Sequence, residues 1–236
     1  MNCRIAFSVA LLACSASAAW AGRPLATDDA GTAELGQCYL ESWIERAGPQ
    51  RALVASPGCG VAPGVELGGA YSHLHPRDTV RAAGELFLKW VPEAAALATP
   101  AGDLQFGLRL AMPLERPAGA SWRRSGTVVL GLASLQVNDD WTVHANLGRE
   151  RERASGVTGT MLNLAVAWTP MPPLLVFAET STNNRRATFG GTTHSAGARW
   201  WLVPDKLGLD LTATRSIDAG TPTLWTVGIG WYGLGQ

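Results

Sequence analysis

Beyond its first two dozen residues the chain is written in runs of about ten residues in which apolar and polar side chains alternate. A period of two is the mark of a β-strand with one apolar and one polar face, and it excludes an amphipathic helix, whose apolar residues recur every three or four positions. Trp225, Val227, Ile229 and Trp231 share one face, with Thr226, Gly228, Gly230 and Tyr232 on the other. The same alternation runs through Leu104–Met112, Trp141–Gly148 and Leu207–Thr214. Twelve such segments are predicted: 37–46, 51–59, 64–74, 79–91, 103–113, 125–137, 141–150, 158–169, 174–183, 192–202, 206–215 and 223–234. A ten-strand pairing, with 51–59 merged into its turn, is the alternative.

The connections alternate too. Asn138–Asp140, Pro170–Pro173 and Pro204-Asp205 are short and stiff, whereas Glu115–Arg124, Arg151–Gly156, Asn184–Gly191 and Ser216–Thr221 are longer and mostly Arg-rich. Short turns on one rim and longer polar loops on the other are the pattern of an outer-membrane barrel. The fold class is therefore all-β, a single antiparallel transmembrane β-barrel of about 12 strands. A soluble sandwich or lipocalin-like fold is the competing reading. Trp43, Trp90, Trp141, Trp168, Trp200, Trp201, Trp225 and Trp231 fall mostly near strand ends, where a membrane interface holds amphipathic rings. Pro92–Gly102 breaks the rhythm, and a helical turn is expected over Ala94–Ala98.

Residues 1–21 read as a secretory signal: Arg4, an apolar stretch over Ile5–Ala13, then Ala19-Trp20-Ala21 as a small-x-small cleavage site. Leu11–Cys14 also resembles a lipobox, which would make Cys14 a lipidated N-terminus. The expected organisation is a signal over 1–21, a segment over 22–36 lying in the periplasm or plugging the lumen, and a barrel over 37–236. With 19 basic and 19 acidic residues the net charge is zero, which argues against nucleic acid as a partner.

Export into an oxidising compartment allows Cys38 and Cys59 to pair, or to remain as two thiols. If the first two strands turn at Ala47–Gln50, Arg46 faces Arg51 and the position numbers of opposed residues sum to 97. Cys38 then faces Cys59 within disulfide reach.

With the apolar face outward, Glu66, Glu85, Lys89, Gln105, Arg109, His144, Arg199 and Asp210 line the lumen and any solute path. Both signs are present, so no strong ion selectivity is expected. A barrel of this size either conducts or fills itself with paired charges. Asp28 and Asp29 either pair with a lumen arginine such as Arg109 or Arg199, or cap a periplasmic turn. No catalytic residue, metal site or cofactor is expected. His194 and Ser195 point to opposite faces, and His73-x-His75 beside Pro76 reads as a loop rim. In the alternative of a lipid hydrolase, His144, on one face with Asn146, would recruit a serine from another strand, such as Ser134. Arg149–Arg153, with Arg185 and Arg186, form either a solvated strand end and loop or a contact for lipopolysaccharide phosphates.

The string Arg23-Pro24-Leu25-Ala26-Thr27-Asp28-Asp29-Ala30-Gly31-Thr32, followed by Gly36 and Glu41, resembles the start of the mature domain in an outer-membrane transporter family named for the MetA-pathway of phenol degradation. The resemblance is carried by 23–45 and continues as strand-and-turn rhythm. It implies an outer-membrane barrel and uptake of small, often aromatic compounds. This chain is short for that family and ends in Gln236; Trp231 and Tyr232 are the aromatics nearest the end, where barrel assembly machinery reads its signal. Three functions follow as expectations: passage of a small, aromatic or amphipathic solute; a filled structural or surface-interaction barrel; and a lipid-modifying barrel enzyme.

Overall fold

The structure, a computed structural model, describes residues 25–76, 80–218 and 220–235. The signal segment, Cys14, Arg23 and Pro24 lie outside the described residues. Twelve antiparallel strands form the wall: β1 Cys38–Ala47, β2 Gln50–Ala62, β3 Val65–His75, β4 Val80–Trp90, β5 Gly102–Pro117, β6 Gly126–Gln136, β7 Trp141–Glu152, β8 Thr158–Met171, β9 Leu174–Asn183, β10 Thr193–Val203, β11 Leu207–Ser216 and β12 Leu224–Leu234. Each pairs with its neighbours in sequence, and β1 pairs with β12 to close the sheet. Closure leaves the sheet no open edge. The ten-strand alternative is thereby excluded, because β2 is a full strand paired on both sides.

Exposure follows the alternation read from the sequence. On β7, Leu147 is 62% exposed while its neighbour Asn146 is 1% exposed. The apolar face thus points out and the polar face in, the reverse of a soluble protein. Trp90, Trp141, Trp168, Trp200 and Trp231 stand outward at the short-turn rim, with Trp141 and Trp168 stacked across β7 and β8 at 5.6 Å. Two tryptophans depart from the expected girdle. Trp43 lies between the outward Leu40 and Ile44 positions on the opposite parity, and Trp201 packs edge-on to the buried Tyr232. Strand parity fixes the face, and nearness to a strand end does not override it.

The first hairpin keeps the expected register, with Arg46 opposite Arg51 and Cys38 opposite Cys59. Cys38 and Cys59 form a disulfide on the outward face beside Leu40. Over Pro92–Gly102 the helical turn is shorter than expected. Only Glu93–Ala95 is helical, and Ala96–Thr99 is a short strand that pairs back onto Gly102–Gln105. A four-residue helix, Arg186–Phe189, sits in the β9–β10 loop.

Candidate functional site

Leu25–Leu35 runs across the inside of the barrel as a strap, from β9 to β2. Leu25 seats against Ala165, Ala167 and Phe177. The Glu179 carboxylate accepts from the backbone N–H groups of Ala26, at 2.9 Å, and Thr27, at 2.8 Å, and from the Thr27 hydroxyl. Asn146 pairs with the backbone of Asp28 as one peptide pairs with another. Its Oδ1 accepts from the N–H at 2.8 Å and its Nδ2 donates to the carbonyl at 2.7 Å. Ala30 donates to Ser134 Oγ at 2.8 Å, and Ala33 donates to Glu66 at 2.8 Å. At its far end Leu35 bridges to Gly60, and Gly36 donates to the Gly60 carbonyl at 2.9 Å. A Cβ at Gly60 would lie 2.2 Å from the Glu34 carbonyl oxygen, so only glycine lets the strap approach this closely. An extended segment without ladder partners must find acceptors for its N–H groups. The wall supplies them as inward Glu, Asn and Ser side chains.

Charge holds the middle of the strap. Lys89 bonds both Asp28, at 2.7 Å, and Asp29, while Arg109 bonds Asp28 at 3.1 Å and Glu85. The Arg109 guanidinium also lies over the Phe87 ring, 4.5 Å from its centroid. Asp29 and Lys89 are 3% and 4% exposed, and neither charge could stay buried without the other. The two aspartates therefore sit in the lumen against Lys89 and Arg109, and Arg199 takes no part.

Arg199 closes a second region, where β10, β11, β12 and β1 meet. It forms a two-pronged pair with Asp210 on the adjacent strand, at 2.6 and 2.9 Å. Its guanidinium lies 5.0 Å from the Trp201 ring and 5.1 Å from the Tyr232 ring. Glu41 approaches it at 3.8 Å and accepts from the Tyr232 hydroxyl. Gly208 makes the room: a Cβ there would meet the Arg199 stem at 3.1 Å.

Every lumen residue expected from alternation thus faces inward, but in three different settings. Glu66, Glu85, Lys89, Arg109 and His144 serve or adjoin the strap, and Arg199 with Asp210 forms the closed region. Gln105 donates to the Pro92 carbonyl at 3.0 Å beside the short-turn rim. Ser134 Oγ and His144 Nδ1 are 2.8 Å apart, the spacing of a nucleophile and base. The serine oxygen already accepts from Ala30, and both residues are buried beneath the strap, so the pair acts as a strut. His194 and Ser195 point apart as expected, to Thr180 outside and Thr214 inside. Glu41, Glu179 and Asn146 were not among the expected lumen residues, although strand parity alone assigns each to the inward face.

Between the strap and the wall of β1–β7 there remains a cavity of about 1410 Å³. Glu45 and Ser72 line it towards the long-loop rim, and Asp103, Gln136 and Asp139 line it at the short-turn rim. It runs from one end of the barrel towards the other, alongside the strap.

This fold is that of the outer-membrane porins. The KdgM porin superposes with a TM-score of 0.60 at 12% identity, over 82% of this chain and 98% of that one. The NanC porin does so with a TM-score of 0.58 at 7% identity, over 82% and 98%. The KdgM porin in complex with disordered oligogalacturonate gives 0.59 at 12% identity, over the same shares. The chain belongs to the family described as uncharacterised conserved protein UCP029691, whose match spans residues 8–231. None of the curated proteins matches the sequence.

Proposed function

We propose that this protein is a non-enzymatic outer-membrane channel, through which small solutes pass passively along the cavity beside the strap. The observation that carries the reading is that cavity: about 1410 Å³, lined from one rim towards the other by polar side chains. Tyr39, Trp43, Phe87 and Tyr232 share its lining and offer ring faces. They suit the small aromatic or amphipathic solutes implied by the resemblance of residues 23–45 to the MetA-pathway family. Glu85, Lys89, Gln105 and Arg109 line the same cavity, and the pairing of Lys89 and Arg109 with the strap sets its width. His144, Arg199 and Asp210 support the walls rather than the path.

The outward face fits a lipid bilayer. Its apolar band is bounded at the short-turn rim by the five tryptophans. At the other rim, alternation turns Arg46, Arg51, Arg116, Arg149, Arg151 and Arg215 outward within a few residues of a strand end. Those guanidinium groups would meet lipopolysaccharide phosphates, which they can grip in bidentate fashion. The short-turn rim, where β1 begins and β12 ends, then faces the periplasm, after export on the signal segment and insertion by the barrel assembly machinery.

Single-channel recording of the refolded mature chain in a planar bilayer tests the reading. Steady ohmic steps, reduced by a small aromatic solute, are the expected result. A folded, heat-modifiable barrel that never conducts would leave the second reading, a structural barrel filled by its strap and by the Arg199 cluster.

A further inference from the structure

The cavity wall carries a charge bias that passage alone does not require. Among the described residues, ten carboxylates line it against two cations, Lys89 and Arg109. Both cations are already paired, with Asp28, Asp29 and Glu85. Arg199 does not redress the balance. It is 1% exposed, locked against Asp210 and outside the cavity lining. The even mixture of signs expected from sequence therefore gives way to an acidic path. Negative charge gathers at the short-turn rim, on Glu93, Asp103 and Asp139.

The bias belongs to a wider segregation. By alternation, the carboxylates of the twelve strands all lie on the inward face, while the charged residues at the outward rim are arginines. In a narrow passage with low-dielectric walls, fixed charges of one sign concentrate counter-ions and repel co-ions.

We infer that the passage prefers cations, admitting potassium and small organic ammonium compounds ahead of anions of similar size. The inference rests on the channel reading above. It also separates this chain from a structural neighbour: the KdgM porin has been seen with oligogalacturonate, a polyanion. This lining would turn such a solute away, although the wall has the same fold.

The test is the reversal potential of the refolded mature chain in a potassium chloride gradient. The expected result is a several-fold preference for potassium over chloride at low salt, shrinking at molar salt as the fixed charges are screened. Oligogalacturonate added to either side should not block the current. Neutralising the short-turn mouth in one variant, Glu93→Gln with Asp103→Asn and Asp139→Asn, should at least halve the preference while ohmic steps persist. Conduction without preference, with chloride preference, or with a preference that the variant leaves unchanged would overturn the inference and leave the channel reading standing. Absence of any conduction would overturn both.

Discussion

The lumen is closed in two ways, and the contrast explains much about the molecule. Around Arg199 the partners are near neighbours in the wall. Arg199 and Asp210 face each other on β10 and β11, and Glu41 and Tyr232 come from adjoining β1 and β12. Around Lys89 the partner is the strap, whose aspartates lie some sixty residues earlier in the chain. The first cluster forms when two hairpins and the barrel seam form, and it has no means of leaving. The second joins the wall to a segment that is not part of it. Side-chain acceptors hold that segment by its backbone, and one edge of it borders the cavity. One region is masonry, the other an inserted part.

That distinction can be broken experimentally. The largest effect is expected from deleting residues 25–35, which should raise single-channel conductance several-fold while the chain still folds as a barrel. An unchanged conductance would mean that the strap does not bound the path. Arg199→Ala should act on stability instead. It leaves Asp210 and Glu41 buried without their cation, at a cost of about 3–5 kcal/mol. Thermal unfolding in detergent should show that loss; for the fraction that folds, conductance should stay near the wild-type value. Asn146→Ala removes both bonds to the Asp28 backbone and loosens the strap by about 1–3 kcal/mol. Current records should then show added flicker between open levels, with little change in unfolding temperature. Reducing the Cys38–Cys59 disulfide should have the smallest effect. It lies on the outward face away from the cavity and ties a hairpin already held by its own ladder. Unfolding should come a few degrees earlier, with no change in conductance.

Legibility in the sequence follows the same division. The strands, their faces and the first hairpin's register could be read because each rests on a local rule: a period of two, a turn, and the opposed residues that the turn dictates. The disulfide was legible for that reason. The Arg199–Asp210 pair was within reach by the same argument, since a two-residue turn at Pro204-Asp205 sets the two opposite each other; the turn that forms is one residue longer, and a bulge between Trp201 and Val203 restores the register. The strap was not legible in this way. No turn relates Asp28 to Lys89 or Asn146, and a plug and a periplasmic turn ask for the same residues. The acidic lining of the cavity was within reach as well: parity turns Glu41, Glu45 and Asp103 inward along with Glu66 and Glu85, and the mixed count holds only for the eight residues singled out. Trp43 shows a related error, for nearness to a strand end suggested an interface where parity already assigned the lumen.

The most direct test of the central account is to ask which region the current passes. Ser72 lines the cavity on β3, whereas Ser195 is buried on the inward face of β10 outside it. Ser72→Cys and Ser195→Cys are both small changes, and Cys38 and Cys59 are held in a disulfide. A charged methanethiosulfonate reagent should reduce single-channel current through Ser72→Cys and leave Ser195→Cys unaffected. Equal block of both, or block of Ser195→Cys alone, would contradict a path that runs beside the strap.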